Sequence, residues 1–156
     1  MDSPGLGVLL FLPYRHLEDR VLAAVRAAGH SITLAQARVF QRVDPGGSRL
    51  TTLARSAQVT KQTAGHLVDQ LEAAGYLART PHPHDARARL IRITSKGREV
   101  IAVAAPVQAA IEAEWAAHLG ARRMQQLTAA LLALRAITDP YADDVSQGGV
   151  SRRTRD

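Results

Sequence analysis

The stretch "LARSAQVTKQTAGHLVDQLEAAGYLART", Leu53 to Thr80, decides how the rest of the chain is read. It divides at "VT", Val59 and Thr60. Before that point, Arg49 to Gln58 reads as a short helix with Leu50, Leu53, Ala54 and Ala57 on one face. After it, Lys61 to Gly75 reads as a second helix with Ala64, Leu67, Val68, Leu71 and Ala74 on its apolar face. Thr60 is placed to cap that helix by accepting from a backbone N–H one turn on. Gly75 can supply the left-handed residue that ends it.

Beyond Gly75, Tyr76 to Thr80 and Arg89 to Thr94 read as paired strands, with Leu90 or Ile91, then Ile93, facing the interior. The segment between them, Thr80 to Asp85, carries two prolines and two histidines. Two helices joined by a tight turn and followed by a hairpin make a winged helix-turn-helix. In that arrangement the first helix buttresses the second, whose outer face enters the major groove of DNA. The outer face here is Lys61, Gln62, Thr63, His66 and Gln70. Gln62 can bond adenine bidentately, Thr63 can meet a thymine methyl or a phosphate, and His66 can donate or accept. Lys61, near the helix start, suits a phosphate. Arg87 and Arg89 lie on the wing, where they can reach phosphates or a narrow minor groove. Asp85, two residues before Arg87, is expected to hold its guanidinium fork in one orientation.

Charge supports the same segment. The chain carries a formal net charge of +6. Between Arg49 and Arg98 the nine basic residues face only Asp69, Glu72 and Asp85, so the whole excess lies there. A field concentrated in this way suits a polyanion.

Working outward, Leu6, Leu10, Leu17, Val21 and Val25 recur near a 3.6-residue period, with Tyr14 beside them. Pro13 either opens that helix or kinks a longer one. Gly29 and His30 mark its end. Ser31 to Asp44 reads as a further helix, and "DPGG", Asp44 to Gly47, as a turn. Thr94 or Ser95 caps a long helix running from Lys96 toward His118, which Pro106 should bend or divide. Gly120 breaks the chain. Met124, Leu127, Leu131, Leu134 and Ile137 then define the last helix. The polar segment after Pro140 reads as a disordered tail. The expected fold is mainly α with a small β-hairpin wing, organised as residues 1–30, 31–97, 98–139 and 140–156.

Several classes of chemistry lack their residues. With no cysteine, disulfides, thiolate metal sites and thiol nucleophiles are excluded. No nucleophile elbow frames the serines and histidines, and "PGGSR", Pro45 to Arg49, lacks the lysine and spacing of a phosphate loop, so no enzyme activity and no cofactor are expected. "LGVLLFL", Leu6 to Leu12, is too short for a bilayer, and no longer run is expected to span one. A soluble cytoplasmic protein with no membrane partner follows. His82 and His84 flank Pro83 beside Asp85, with His66 within possible reach, which leaves open a metal-responsive DNA-binding regulator. A winged-helix protein-interaction module without specific DNA binding is the other alternative. No metal ligand is assigned.

From Leu50 to Gly97 the sequence resembles the MarR family of bacterial transcriptional regulators. The resemblance rests on the quoted stretch, on "DAR" (Asp85 to Arg87) and on "IRITSKG" (Ile91 to Gly97). Leu71, Glu72, Gly75, Asp85, Arg87, Thr94 and Gly97 stand at the family's marked places, with Tyr76 and Ile93 replacing leucines. The resemblance implies a homodimer formed by the N-terminal helix and the last two helices. It also implies a repressor of double-stranded DNA with a pseudo-palindromic operator, released by a small aromatic effector. Tyr14, Arg15, His16 and Trp115 are candidates to line the effector's site, whose residues the resemblance does not assign.

Overall fold

The computed structural model describes residues 3–139, so the expected tail at 140–156 lies outside the described residues. Among the described residues there are six helices and one antiparallel hairpin, in the order α1 (Leu6–Ala27), α2 (Leu34–Phe40), α3 (Leu50–Ser56), α4 (Lys61–Ala73), β1 (Leu77–His82), β2 (Asp85–Ile93), α5 (Ser95–Leu119) and α6 (Ala121–Thr138). The fold is the expected one, mainly α with a hairpin wing.

Local signals set most boundaries. Thr60 Oγ1 accepts from Thr63 N at 3.0 Å and starts α4, and Gly75, at φ +85°, follows its end. Thr94 Oγ1 accepts from Gly97 N at 3.1 Å and starts α5. α2 is shorter than the predicted Ser31–Asp44 helix. Its start is fixed by a capping box in which Thr33 Oγ1 accepts from Gln36 N and Gln36 Oε1 accepts from Thr33 N. Its end gives way to tight turns, closed by Asp44 Oδ1 accepting from Gly46 N at 2.7 Å. Pro13 and Pro106 both sit inside continuous helices, so α1 runs through the first and α5 is not divided by the second.

The wing reaches further toward its tip than the sequence suggests. β1 and β2 pair from Leu77 opposite Ile93 to Pro81 opposite Arg89, then slip so that His82 faces Asp85. Pro81 has no N–H to give the ladder, and β2 bulges at that step. The base of the hairpin gains a contact that no local pattern announces. Ser48 N donates to Ile91 O at 2.9 Å and Ile91 N donates to Ser48 O at 2.8 Å, which ties the α2–α3 loop to β2.

The core lies where the helix-turn-helix meets the hairpin and the flanking helices. Phe40, Leu53, Val68, Leu71, Tyr76 and Ile91 are buried there with Val25 and Val100. Both Leu90 and Ile91 are buried, whereas Ala74, predicted on the apolar face of α4, is exposed at its C-cap. Two regions are apolar without being covered. Leu6 and Val8 to Leu12 on α1 are all exposed, and no residue of α6 is buried, with Leu131, Leu132 and Ile137 open. By length and composition α5 is apolar enough to cross a membrane, at 25 residues and a mean hydropathy of 1.3, which corrects the expectation that no run has that length. α1 packs along it, with Arg20 and Glu114 forming a bidentate pair at 2.5 and 2.9 Å.

Candidate nucleic-acid interface

α4 buries Ala64, Leu67, Val68 and Leu71 and turns its other side outward. Lys61, Gln62, Thr63, His66 and Gln70 are all exposed on it. The helix start is ordered by more than its backbone cap, because Thr60 Oγ1 also donates to Thr63 Oγ1 at 2.9 Å. That bond fixes the Thr63 hydroxyl. Gln70 is also engaged within the protein. Its Oε1 accepts from Gln36 Nε2 at 2.9 Å and its Nε2 lies 3.0 Å from His66 Nε2.

Arg87 and Arg89 are exposed on β2 at the bulged end of the wing. Asp85 makes a different contact from the predicted one. Its Oδ1 accepts from the backbone N of Arg87 at 3.1 Å, and its Oδ2 lies 3.8 Å from the Arg49 guanidinium at the start of α3. It therefore shapes the tip backbone and leaves the Arg87 side chain free of it. His82 and His84 stack edge to face with ring centroids 6.1 Å apart, while His66 is held on α4 by Gln70. Among the described residues, no three histidine, aspartate or glutamate side chains gather as a metal-binding group.

Arg79 belongs to the basic segment of the sequence, yet its charge is used internally. Its guanidinium lies 2.8 Å from Asp69 Oδ1 and pairs with Glu72, and its backbone N donates to Glu72 Oε1 at 3.1 Å. The clamp joins β1 to α4 and neutralises carboxylates that would otherwise repel a polyanion. Opposite charges separated by seven to ten residues across a helix end and a strand give no periodic signal in the sequence.

A second feature lies under α1 and α2. A cavity of about 360 Å³ is lined by Leu17, Val21, Ile32, Phe40, Val100 and Ala104, with Tyr14, Glu18 and Arg38 also on its wall. Glu18 accepts from Arg38 at 2.6 and 2.9 Å, from Tyr14 Oη at 2.8 Å and from Arg15 at 3.0 Å. The Arg38 guanidinium holds the Glu18 carboxyl down to about 2, against the opposing effect of burial. Burial and the Glu18 carboxylate push the Tyr14 hydroxyl above its ordinary value. Of the sequence candidates for an effector site, Tyr14 lines this cavity, whereas Arg15, His16 and Trp115 are not among its lining residues.

A capped helix with a polar outer face, buttressed by a short partner and flanked by a basic hairpin, defines a winged helix-turn-helix DNA-binding regulator. Comparison with known proteins agrees. Residues 30–88 match the MarR family. The transcriptional regulator HosA of Escherichia coli O111:H- is 25% identical over 95 residues, covering 60% of this chain and 70% of HosA. The crystal structure of transcriptional regulator Tm0710 from Thermotoga maritima is 30% identical, covers 86% of this chain and 94% of its own, and superposes with a TM-score of 0.58. The transcriptional repressor CouR, bound to a 23-mer DNA duplex, is 26% identical over 83% of this chain and 92% of its own, with a TM-score of 0.66. CouR from Rhodococcus jostii RHA1 also has a structure with p-coumaroyl-CoA, which shares the fold at a TM-score of 0.67. The chain belongs to the MarR family and is a transcriptional regulator rather than an enzyme.

Proposed function

We propose that this regulator is a homodimeric repressor that binds a pseudo-palindromic operator in double-stranded DNA and releases it when a small aromatic effector binds. The observation that carries the reading is the pairing of an outward polar face on α4 with an exposed basic wing, on a fold that in CouR holds duplex DNA. Lys61 and Thr63 meet phosphates, Gln62 and His66 read base edges, and Arg87 and Arg89 reach the backbone or minor groove beside the wing. Gln70 lies on the same face.

Residues 31–97 form the DNA-binding lobe in this reading. Residues 1–30 and 98–139 form the dimerisation region, whose uncovered leucines on α1 and α6 supply the apolar surface a partner copy would bury. A dimer sets two recognition helices about 34–36 Å apart, one DNA turn. The cavity under α1 and α2 is the natural effector site, because it touches both the dimerisation helix α1 and the helix-turn-helix support α2. An occupant that fits one spacing of the two lobes better than the other shifts DNA affinity by reciprocal coupling. The protein would act in the cytoplasm.

The test is a titration against the duplex flanking the protein's own gene, with an unrelated duplex as competitor, at two salt concentrations and with chelator present. Tight, salt-sensitive binding that survives both competitor and chelator is expected. Loss of binding with chelator would favour the metal-responsive reading. Absence of binding to either duplex at low salt would overturn the regulator reading and favour a protein-interaction module.

A further inference from the structure

One backbone N–H and three side chains form a hydrogen-bonded chain from the start of α2 to the outer face of α4, and its direction is set at one end. Thr33 N is a backbone donor and cannot reverse its role. It donates to Gln36 Oε1 at 3.0 Å, so the other end of the Gln36 amide is the NH₂ group. Gln36 Nε2 donates to Gln70 Oε1 at 2.9 Å. Gln70 therefore turns its own NH₂ toward His66, where Nε2 lies 3.0 Å away. An NH₂ group can only donate, so His66 Nε2 must accept. In a neutral imidazole the proton then sits on Nδ1.

We infer that His66 is a donor-only reader of base edges, its ring fixed as the Nδ1–H tautomer by this relay from the α2 capping box. The inference rests on the reading of α4 as the helix that enters the groove. It changes what the ring can recognise. A histidine free to choose its tautomer can donate to a base or accept from one. With Nε2 occupied, the remaining nitrogen offers only a proton. It can meet guanine N7 or O6, thymine O4 or adenine N7, and it meets the amino group of cytosine with two donors facing each other. Gln36 and Gln70 act through His66 and are positioning residues.

The relay can be reversed from its far end. In Gln36→Glu both side-chain oxygens accept. One keeps the Thr33 N–H, and glutamate is the other residue that closes a capping box at this position, so α2 keeps its start. The second oxygen demands a donor from Gln70. Its amide turns over and presents Oε1 to His66, which must now donate from Nε2 and accept at Nδ1. Gln70→Ala removes the relay without touching α2, and the ring returns to the Nε2–H form that a free histidine side chain favours.

The experiment reads the His66 ring by long-range ¹H–¹⁵N NMR in the full chain without DNA, at about pH 8, above the ordinary histidine range. His66→Ala assigns the signal. The expected result is Nδ1–H in the parent protein and Nε2–H in both Gln36→Glu and Gln70→Ala. Site selection from random duplexes forms the second arm. Parent protein should favour an acceptor-bearing base at the position whose preference His66→Ala abolishes. Gln36→Glu should move that position toward cytosine or the adenine amino edge by about fivefold, the worth of one hydrogen bond. Nε2–H in the parent, or Nδ1–H persisting in Gln36→Glu, would overturn the relay even if DNA binding is intact. The expected tautomers without any DNA binding would sink the regulator reading, and with it the role of His66 at the groove.

Discussion

Replacing Gly97 with alanine should destabilise the protein by about 2–4 kcal/mol, although the same change usually favours a helix by about 1 kcal/mol. Gly97 lies in the first turn of α5, where that helix leaves the wing. A β-carbon there would stand 2.7 Å from Ile93 Cγ2 and 3.3 Å from Phe40 Cε2, and inside contact distance of the Tyr76 carbonyl oxygen. Overpacking of this kind costs about 1–3 kcal/mol. The carbonyl cannot retreat freely, because it accepts from Thr94 N at 3.2 Å and from Thr94 Oγ1 at 3.0 Å. Each bond lost in moving it costs about 1 kcal/mol more. A chain of this size should then melt about 5–15 °C lower. Gly65→Ala is the matched control. Its β-carbon would meet only Leu50 Cδ2 at 3.7 Å, an ordinary contact, so alanine should stabilise α4 by up to about 1 kcal/mol. Thermal and urea unfolding of both variants decide the matter. Equal melting temperatures, or Gly97→Ala above Gly65→Ala, would refute the close-approach account of this glycine.

Glu18→Gln should lose stability that the parent has at neutral pH, on the order of a few kcal/mol, and the gap should narrow with acid. The carboxyl is held below its ordinary 4.5 at about 2, so its contribution is complete above about pH 4.5 and fades as pH falls through 2. Denaturant unfolding across that range checks it, and a gap independent of pH would count against the Arg38 pairing. Arg79→Ala should weaken binding about tenfold, or about 1.4 kcal/mol, across all duplexes, because it frees Asp69 and Glu72 and loosens β1 from α4. An effect confined to one sequence would show a base-reading role instead. Arg87→Ala should lower the slope of log affinity against log salt by about 0.9. Gln62→Ala should relax preference at a single base pair, and equal loss on every duplex would remove its base-reading role.

Much of the lobe was legible because its signals are local. Thr60, Gly75 and Thr94 each declare a helix boundary through the hydrogen bonds or backbone angles of their own neighbourhood. The spacing of Leu67, Val68 and Leu71 gives the buried face of α4 and, by exclusion, its outward residues. Features made by distant partners were not legible. The Ser48–Ile91 bridge joins residues 43 apart, and the Arg79 clamp joins a strand to the preceding helix. Adjacency to Arg87 suggests a side-chain partner for Asp85, but its carboxylate meets the Arg87 backbone N and lies near Arg49, a residue 36 positions away. A helix read over Ser31–Asp44 is too long because buried Val43 continues the apolar spacing past the true end of α2 at Phe40. For the prolines of α1 and α5 the sequence leaves two outcomes open, a helix start or kink at Pro13 and a bend or division at Pro106, and the structure has each helix running through its proline as one element.

The Ser48–Ile91 bridge has a consequence for how the wing can change over evolution. It anchors β2 to the helix-turn-helix at the base of the hairpin, leaving the turn at Pro83 and His84 outside the anchored part. Insertions, deletions and substitutions in that turn therefore act on the reach of the arm without disturbing the lobe beneath it. Amide exchange would draw the same line, with the Ile91 amide opening only when the lobe unfolds and the tip exchanging independently. A lineage could thus retune where its regulator touches the neighbouring groove while inheriting the reading helix intact.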